Sequence, residues 1–382
     1  MALHALIVGG GIAGLSTARA LQRDGHRVTL VDRGPIPNPQ ASSFDNHRLI
    51  RRAYGRQTGY MHMITHAWEA WHRLWSELGQ ELSVRTGALA FSVKADDFIG
   101  WSFAALREAG YPVEALTRRD LARRFPMIEP TGIEVAFLDP DGGVLLASRI
   151  VRALARLLTE NGATALPYAE VRRIDADAAE VELADGNRLC GDVVIVAAGP
   201  YTPALLPGFT GKLVPSRQVL AYVVMTDELR ALWHGAPALL GNDSDSGFYL
   251  VPPVTAPDGS DTGLKIGDHL FSLKGDPGRA AEREAGRAES EVVLGQIYGR
   301  LAGAERYQLE RAKVCYYTVD AAERFQTLPI GKAGWMMSNC SGHGFKFAAH
   351  LGEAMADMIA GRRSPEALQR YIAGEEPRPS RV

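Results

Sequence analysis

The residues best suited to chemistry lie near the two ends of the chain and in a few stretches between them. Close to the start, Gly9-Gly10-Gly11-Ile12-Ala13-Gly14 follows a short apolar segment, Leu3 to Val8, and opens a helically spaced one, Ile12 to Asp24. A G-x-G-x-x-G turn between strand and helix suits a pyrophosphate. Gly9 makes the tight turn, Gly11 lets the backbone approach the ligand, and Gly14 lets helix and strand pack closely. The backbone N–H groups opening the helix at Ile12 and Ala13 then face the phosphates. Arg27 to Val31 reads as the next strand, ending at Asp32 and Arg33. An acid about 20 residues beyond the glycines is placed to accept hydrogen bonds from a ribose. Strand, turn, helix, strand and acid in that order predict a dinucleotide site far better than the glycines alone.

Other stretches carry charge or glycine where ligand chemistry would want them. Arg48, Arg51, Arg52 and Arg56 cluster after a Pro-, Ser- and Asn-rich loop, Gly34 to Asn46. Such a run is ordinarily a solvated face, but the local excess also suits a small anion. Lys265 sits inside an otherwise apolar strand, Gly263 to Gly267, a rare place for a charge. Asp192 to Gly199 is an apolar strand ending in a glycine, as expected for a buried strand whose end, Ala198-Gly199, reaches a ligand. Trp335 to Gly344 leads through Ser341-Gly342-His343-Gly344 into a helix that runs to Ile359, giving a long cofactor a second set of N–H dipoles. After Asp32 the chain leaves the βαβ rhythm of a simple NAD domain, which favours FAD.

The rest of the chain must position these groups. Helices are predicted at Thr58–Leu78, Phe98–Ala109, Thr117–Phe125, Ser148–Glu160 and Ala281–Leu301, and strands at Val214–Thr226, Gly247–Val251 and Arg306–Thr318. The stripe Trp68, Trp71 and Trp75 reads as core packing. At 382 residues, with 46% hydrophobic and 23% charged residues, the chain is long enough for two domains. A formal charge of -2 favours no nucleic-acid partner, and no apolar run is long enough to span a membrane. Cys190, Cys315 and Cys340 lie far apart, so neither a zinc site nor a disulfide scaffold is expected; a cytoplasmic, reducing location fits.

Together, Gly9–Gly14, Val193–Gly199, Lys265, Cys315-Tyr-Tyr-Thr318 and Ser341-Gly-His-Gly-Phe-Lys-Phe347 resemble the D-amino-acid-oxidase-like flavoproteins, most closely the monomeric sarcosine oxidase and N-methyltryptophan oxidase branch. The resemblance spans nearly the whole chain. It implies an α/β FAD-binding domain of the glutathione-reductase-like type, interleaved with an α+β catalytic domain built on a large, mostly antiparallel sheet. The boundaries expected are 1–80, 143–215 and 325–375 for the first domain and 81–142 and 216–324 for the second. It further implies a monomer that oxidises a small carboxylate-bearing amine or amino acid, with O2 as acceptor and hydrogen peroxide as product.

Residue by residue, the resemblance places Cys315 where the branch links FAD covalently, and Ser42, Ser43 and Arg48 beside the cofactor. Ser341, Gly342, His343, Gly344, Phe345 and Lys346 form the second cofactor segment. Arg51 and Lys346 would clamp the carboxylate, Tyr249 and Tyr317 would wall the pocket, and Lys265 would assist oxygen reduction. His269 would orient the substrate or simply satisfy its own ring. Two departures stand out: Ser43 and Phe44 replace a histidine pair, and Asp320-Ala-Ala322 replaces a TPD segment. The first makes the pocket edge more apolar and argues against sarcosine itself. An FAD-dependent dehydrogenase, a natural-product tailoring oxidase acting on a cyclic imino acid, and a non-enzymatic flavin-binding module are the alternatives.

Overall fold

A computed structural model describes residues 2–243, 246–268 and 270–375. Two sheets carry the architecture. One has six strands in the order Gln326–Pro329, Gly334–Ser338, Val193–Val196, His4–Val8, Arg27–Val31, Thr164–Leu166. Its pairs are parallel except the first. The runs Ala5–Val8 and Val193–Val196 are buried throughout, as strands covered on both faces must be. Helices Ile12–Arg23, Thr58–Leu78, Ala147–Glu160 and Ala348–Ile359 bury their apolar faces in a common core with it. Trp68, Trp71 and Trp75 are part of that core, as their spacing predicts.

The other sheet has eight strands: Leu309–Asp320, Leu213–Val223, Leu264–Asp268, Ser246–Val251, Ala238–Asp243, Ala88–Ser92, Val135–Asp139, Glu114–Ala115. All neighbours are antiparallel except Ala238–Asp243 with Ala88–Ser92. Strand periodicity divides its side chains into two sets. Leu239, Phe248, Leu250, Leu264 and Ile266 turn to a second apolar core with Trp233 and Tyr307. Their alternates, Leu240, Tyr249 and Lys265, turn the other way and line a large cavity. One sheet thus supplies both a core face and a site face.

Most expected elements are present within two residues of their predicted ends. The long charged helix is not. A short 3-10 turn, Ala280–Arg283, precedes a helix of only nine residues, Arg287–Gly295. Gly286 caps it, donating its N–H to Glu289 at 2.9 Å, and beyond Gly295 the chain turns with Gly299 at φ +75. Glycines that the charge pattern concealed thus break the run. Among the described residues no helix is long and apolar enough to cross a membrane.

Candidate active site

The cavity between the sheets has a volume of about 880 Å³. Its floor at one end is the glycine turn. Gly9 has φ +113, and a Cβ there would lie 2.4 Å from the Ala197 carbonyl oxygen; a Cβ on Gly14 would lie 1.9 Å from that of Gly9. Both glycines are therefore required by the protein itself. Gly11 differs: a Cβ there would meet only Ser43 Oγ, at 3.6 Å, and the position faces the cavity. The close approach it permits is to something that enters from outside. Asp32, on the cavity wall, is held in place by backbone and side-chain donors, Gly10 N–H at 2.8 Å, Gly34 N–H at 2.8 Å and Asn38 Nδ2 at 2.9 Å.

The cavity wall brings together most of the residues expected from the sequence. Gly9, Gly11, Ile12, Ala13, Asp32, Arg33, Ser42, Ser43, Arg48, Ala198 and Gly199 line one part; Arg51, Tyr249, Lys265, Tyr317, Gly342, His343, Gly344, Phe345 and Lys346 line the rest. Ser341 does not reach the wall: its N–H bonds the Thr318 carbonyl at 2.9 Å and its hydroxyl donates to the Arg324 carbonyl at 3.3 Å, so it shapes the turn. His343 is likewise held by its neighbours, through the Glu323 carbonyl at 3.0 Å and Tyr54 at 3.2 Å. His269 lies outside the described residues.

Arg51 is 8% exposed, its guanidinium carbon 4.7 Å above the Tyr54 ring, and its Nη1 has no hydrogen-bond partner. Lys346, also buried, donates to Tyr54 Oη at 3.1 Å and to the His343 carbonyl at 3.0 Å. Burial, with Arg51 and then Arg48 nearby, pushes the Lys346 ammonium well below its ordinary range. Arg51 and Lys346 disfavour one another's charge in this buried corner, a strain that an arriving anion would relieve. Trp71 steadies this corner by donating its indole N–H to the Lys346 carbonyl at 2.8 Å.

One expectation needs correcting. Arg52, read as part of a solvated face, is 6% exposed and bridges Asp139 and Asp141. Arg56 is exposed, as expected, but stacks 3.9 Å over Trp101 on the cavity wall. At Cys315, Arg48 and Lys313 both favour the thiolate. Burial outweighs them and pushes the thiol up to about 11. Cys315 is 2% exposed and stands behind the wall, whereas Cys340 lines it.

Sequence reasoning passed over several wall residues. Tyr54 lies in the arginine segment but carried no assigned role, and Phe98 and Trp101 were read only as parts of a helix. Ser338 Oγ and both amide atoms of Asn339 are buried without partners on the wall. Such unsatisfied groups, together with the open cradle at Gly11, fit a long, polar-edged dinucleotide such as FAD. Asn339 adjoins Cys340 and the Ser341–Gly344 turn, but an isolated Asn has no periodicity to mark it.

The sequence model of the family DAO, FAD dependent oxidoreductase, matches residues 4–358. The chain belongs to that family. A curated relative, monomeric sarcosine oxidase from Bacillus sp. (strain B-0618), is 28% identical over 365 residues, 92% of this chain and 91% of the relative. N-methyl-L-tryptophan oxidase from Yersinia pestis (strain Pestoides F) is 25% identical over 377 residues, 94% and 95% of the two chains. The fold is shared with NikD, described as an unusual amino acid oxidase essential for nikkomycin biosynthesis. Its TM-score is 0.78 at 23% identity, with 95% of both chains covered. The reading as an FAD-dependent oxidoreductase, made from the glycine turn and the late Ser341–Phe347 segment, is thereby borne out.

Proposed function

We propose that this DAO-family protein oxidises the C–N bond of a secondary amine, or of an N-methyl or cyclic amino acid, to an imine and reduces O2 to hydrogen peroxide. The observation that carries this reading is the buried pair Arg51 and Lys346 on the wall of an FAD-sized cavity, with a guanidinium nitrogen left unpartnered. An unsatisfied buried donor costs about 1–3 kcal/mol, which a substrate carboxylate in bidentate contact would recover. The relatives named for sarcosine and N-methyl-L-tryptophan, each an amine bearing a carboxylate, agree with it.

FAD, when bound, would accept a hydride equivalent from the carbon beside nitrogen, the amine N–H proton leaving to water, and would supply both electrons to O2, which takes up two protons to become hydrogen peroxide. The protein's part is placement. Arg51 and Lys346 hold the carboxylate, Tyr249 and Tyr317 form the wall beside it, and Lys265 supplies a fixed cation where O2 gains negative charge. We assign the parallel sheet to a glutathione-reductase-like FAD domain and the eight-stranded sheet to the catalytic domain. The test is anaerobic: N-methyl, cyclic and aromatic amino acids are added to the yellow protein and bleaching is followed. Bleaching by none of them defeats the reading, and a peroxide yield near zero in air would replace the oxidase with a dehydrogenase.

Covalent attachment through Cys315 belongs to this proposal. Cys315 shares a strand face with Tyr317, two residues on, which does reach the cavity. Acid precipitation is expected to leave yellow colour on the pellet, and Cys315→Ala to release it into the supernatant; colour in the supernatant of the unmutated protein defeats attachment.

Carboxylate binding is also expected to draw in a proton. Lys346 is depressed in the free protein by burial and by Arg51, and an arriving carboxylate raises it. Between the free and bound values the complex holds more protons than its parts, so affinity should rise as pH falls. Calorimetric titration in buffers of different ionisation enthalpy measures this uptake. Zero uptake at every pH tested would show that Lys346 does not change its charge.

A further inference from the structure

Behind Lys265 lies a buried ionic cluster whose central carboxylate has been given no role above. Asp45 is 2% exposed, does not touch the cavity, and is the centre of the cluster. Lys265 Nζ donates to its Oδ2 at 2.9 Å and Tyr222 Oη to its Oδ1 at 2.5 Å. Arg48 pairs with Oδ2 from the same loop, and Lys313 Nζ stands 4.0 Å from Oδ1. The Asn46 N–H adds a bond to Oδ1 at 3.0 Å.

Sheet register explains the convergence. Tyr222 is the direct partner of Lys265 across the antiparallel pair, so both side chains leave the same face side by side. Arg311 is the partner of Tyr222 on the following strand and stacks over its ring at 3.6 Å. The loop bearing Asp45 crosses this face, anchored by the Ser148 N–H to the Asp45 carbonyl at 2.7 Å. The His47 carbonyl of the same loop also accepts from Lys265. The lysine ammonium is thus held by a carboxylate and a carbonyl from one loop.

We propose that Asp45 is the positioning residue of the oxygen step: it fixes the Lys265 ammonium at the cavity wall and keeps it charged. The inference rests on the oxidase reading above and adds to it the residue on which the lysine depends. Without a counterion a fully buried ammonium gives up its proton instead of remaining charged. Burial already draws Lys265 down to about 7, with Arg48 pulling the same way and Asp45 the main group opposing them. The other titratable or charged groups that face the cluster are His47, Tyr222, Tyr249, Arg311, Lys313 and Cys315. His47 is itself pushed well below its ordinary range by burial and by Lys265, so it adds no charge at neutral pH.

The experiment uses full-length holoenzyme carrying D45N, D45E, K265M or D45N/K265M. Anaerobic bleaching by an amine substrate and reoxidation by O2 are timed separately, and urea unfolding midpoints are measured alongside. D45N should slow reoxidation at least ten-fold more than bleaching and should regain part of the rate as pH is lowered, because a depressed lysine is protonated only at lower pH. D45E should recover most of the rate. The double variant should reoxidise no more slowly than K265M alone, and its midpoint should lie above that of D45N, since removing the lysine removes the cost of stripping its proton and burying its amine without a carboxylate. Reoxidation unchanged in D45N, losses that multiply in the double variant, or a double-variant midpoint at or below that of D45N would each overturn the proposal. If the wild-type enzyme reoxidises with a second acceptor but not with O2, the oxidase reading and the oxygen role fall together; the midpoints still report the pairing.

Discussion

Arg51→Met is expected to lower kcat/KM for a carboxylated amine by about 10²- to 10³-fold, and to leave activity toward the same amine without its carboxylate nearly unchanged. The size follows from two charge-assisted hydrogen bonds of about 1.5–3 kcal/mol each, partly offset by the remaining Lys346, at about 1.4 kcal/mol per decade. The second half of the expectation matters more than the first. A merely structural arginine would, when removed, slow both substrates alike. Arg51→Lys should fall between wild type and methionine, because it keeps the charge but loses the planar fork.

The same substitution has an unusual expectation for stability. Arg51 is buried with an unpartnered Nη1, and burial lowers its tendency to stay charged. Methionine fills similar space without that polar penalty, at the loss of stacking on Tyr54 and Phe98. Stacking of a buried cation contributes about 1–2 kcal/mol and the unsatisfied donor costs about 1–3 kcal/mol. The unfolding midpoint without substrate should therefore hold or rise slightly while catalysis collapses. A midpoint that falls sharply in step with activity would identify Arg51 as a structural group and remove the basis for the carboxylate clamp.

How far the site could be read in advance depended on whether its signal was local. The glycine turn, Asp32 and the Ala198-Gly199 strand end are contiguous patterns, and all of them reach the cavity save Gly10 and Gly14, the latter needed for packing. Lys265 stood out because a charge between Leu264 and Ile266 breaks an apolar strand. Asp45 did not, since its partner is 220 positions away and no local pattern distinguishes it from the polar loop around it. Arg51 and Arg52 are adjacent and chemically identical, and the carboxylates of Asp139 and Asp141, supplied from elsewhere in the chain, bridge to Arg52 while Arg51 Nη1 is left without a partner. For Cys315 the residue type and strand were legible but the balance between desolvation and cations was not; that balance is a property of the packed sheet.

The glycine turn supplies the other large effect, because it separates the needs of the fold from those of the cofactor. Gly14→Ala is expected to fail before FAD is considered: its methyl would lie 1.9 Å from the Gly9 carbonyl oxygen, backbone against backbone, where no side chain can rotate away. Gly11→Ala has no such conflict, with Ser43 Oγ at 3.6 Å as its nearest neighbour. Its methyl instead stands where a pyrophosphate must come close, and a forced overpacking of about 1–3 kcal/mol corresponds to roughly a ten- to hundred-fold loss of FAD affinity. The two proteins should thus fail in different ways, Gly14→Ala with a lowered unfolding midpoint or no soluble protein, and Gly11→Ala folded but pale. Cofactor content against the far-ultraviolet circular dichroism of each variant distinguishes them. Should Gly11→Ala retain full FAD with unaltered affinity, the phosphates do not approach the backbone at this turn, and the cofactor must lie elsewhere in the cavity.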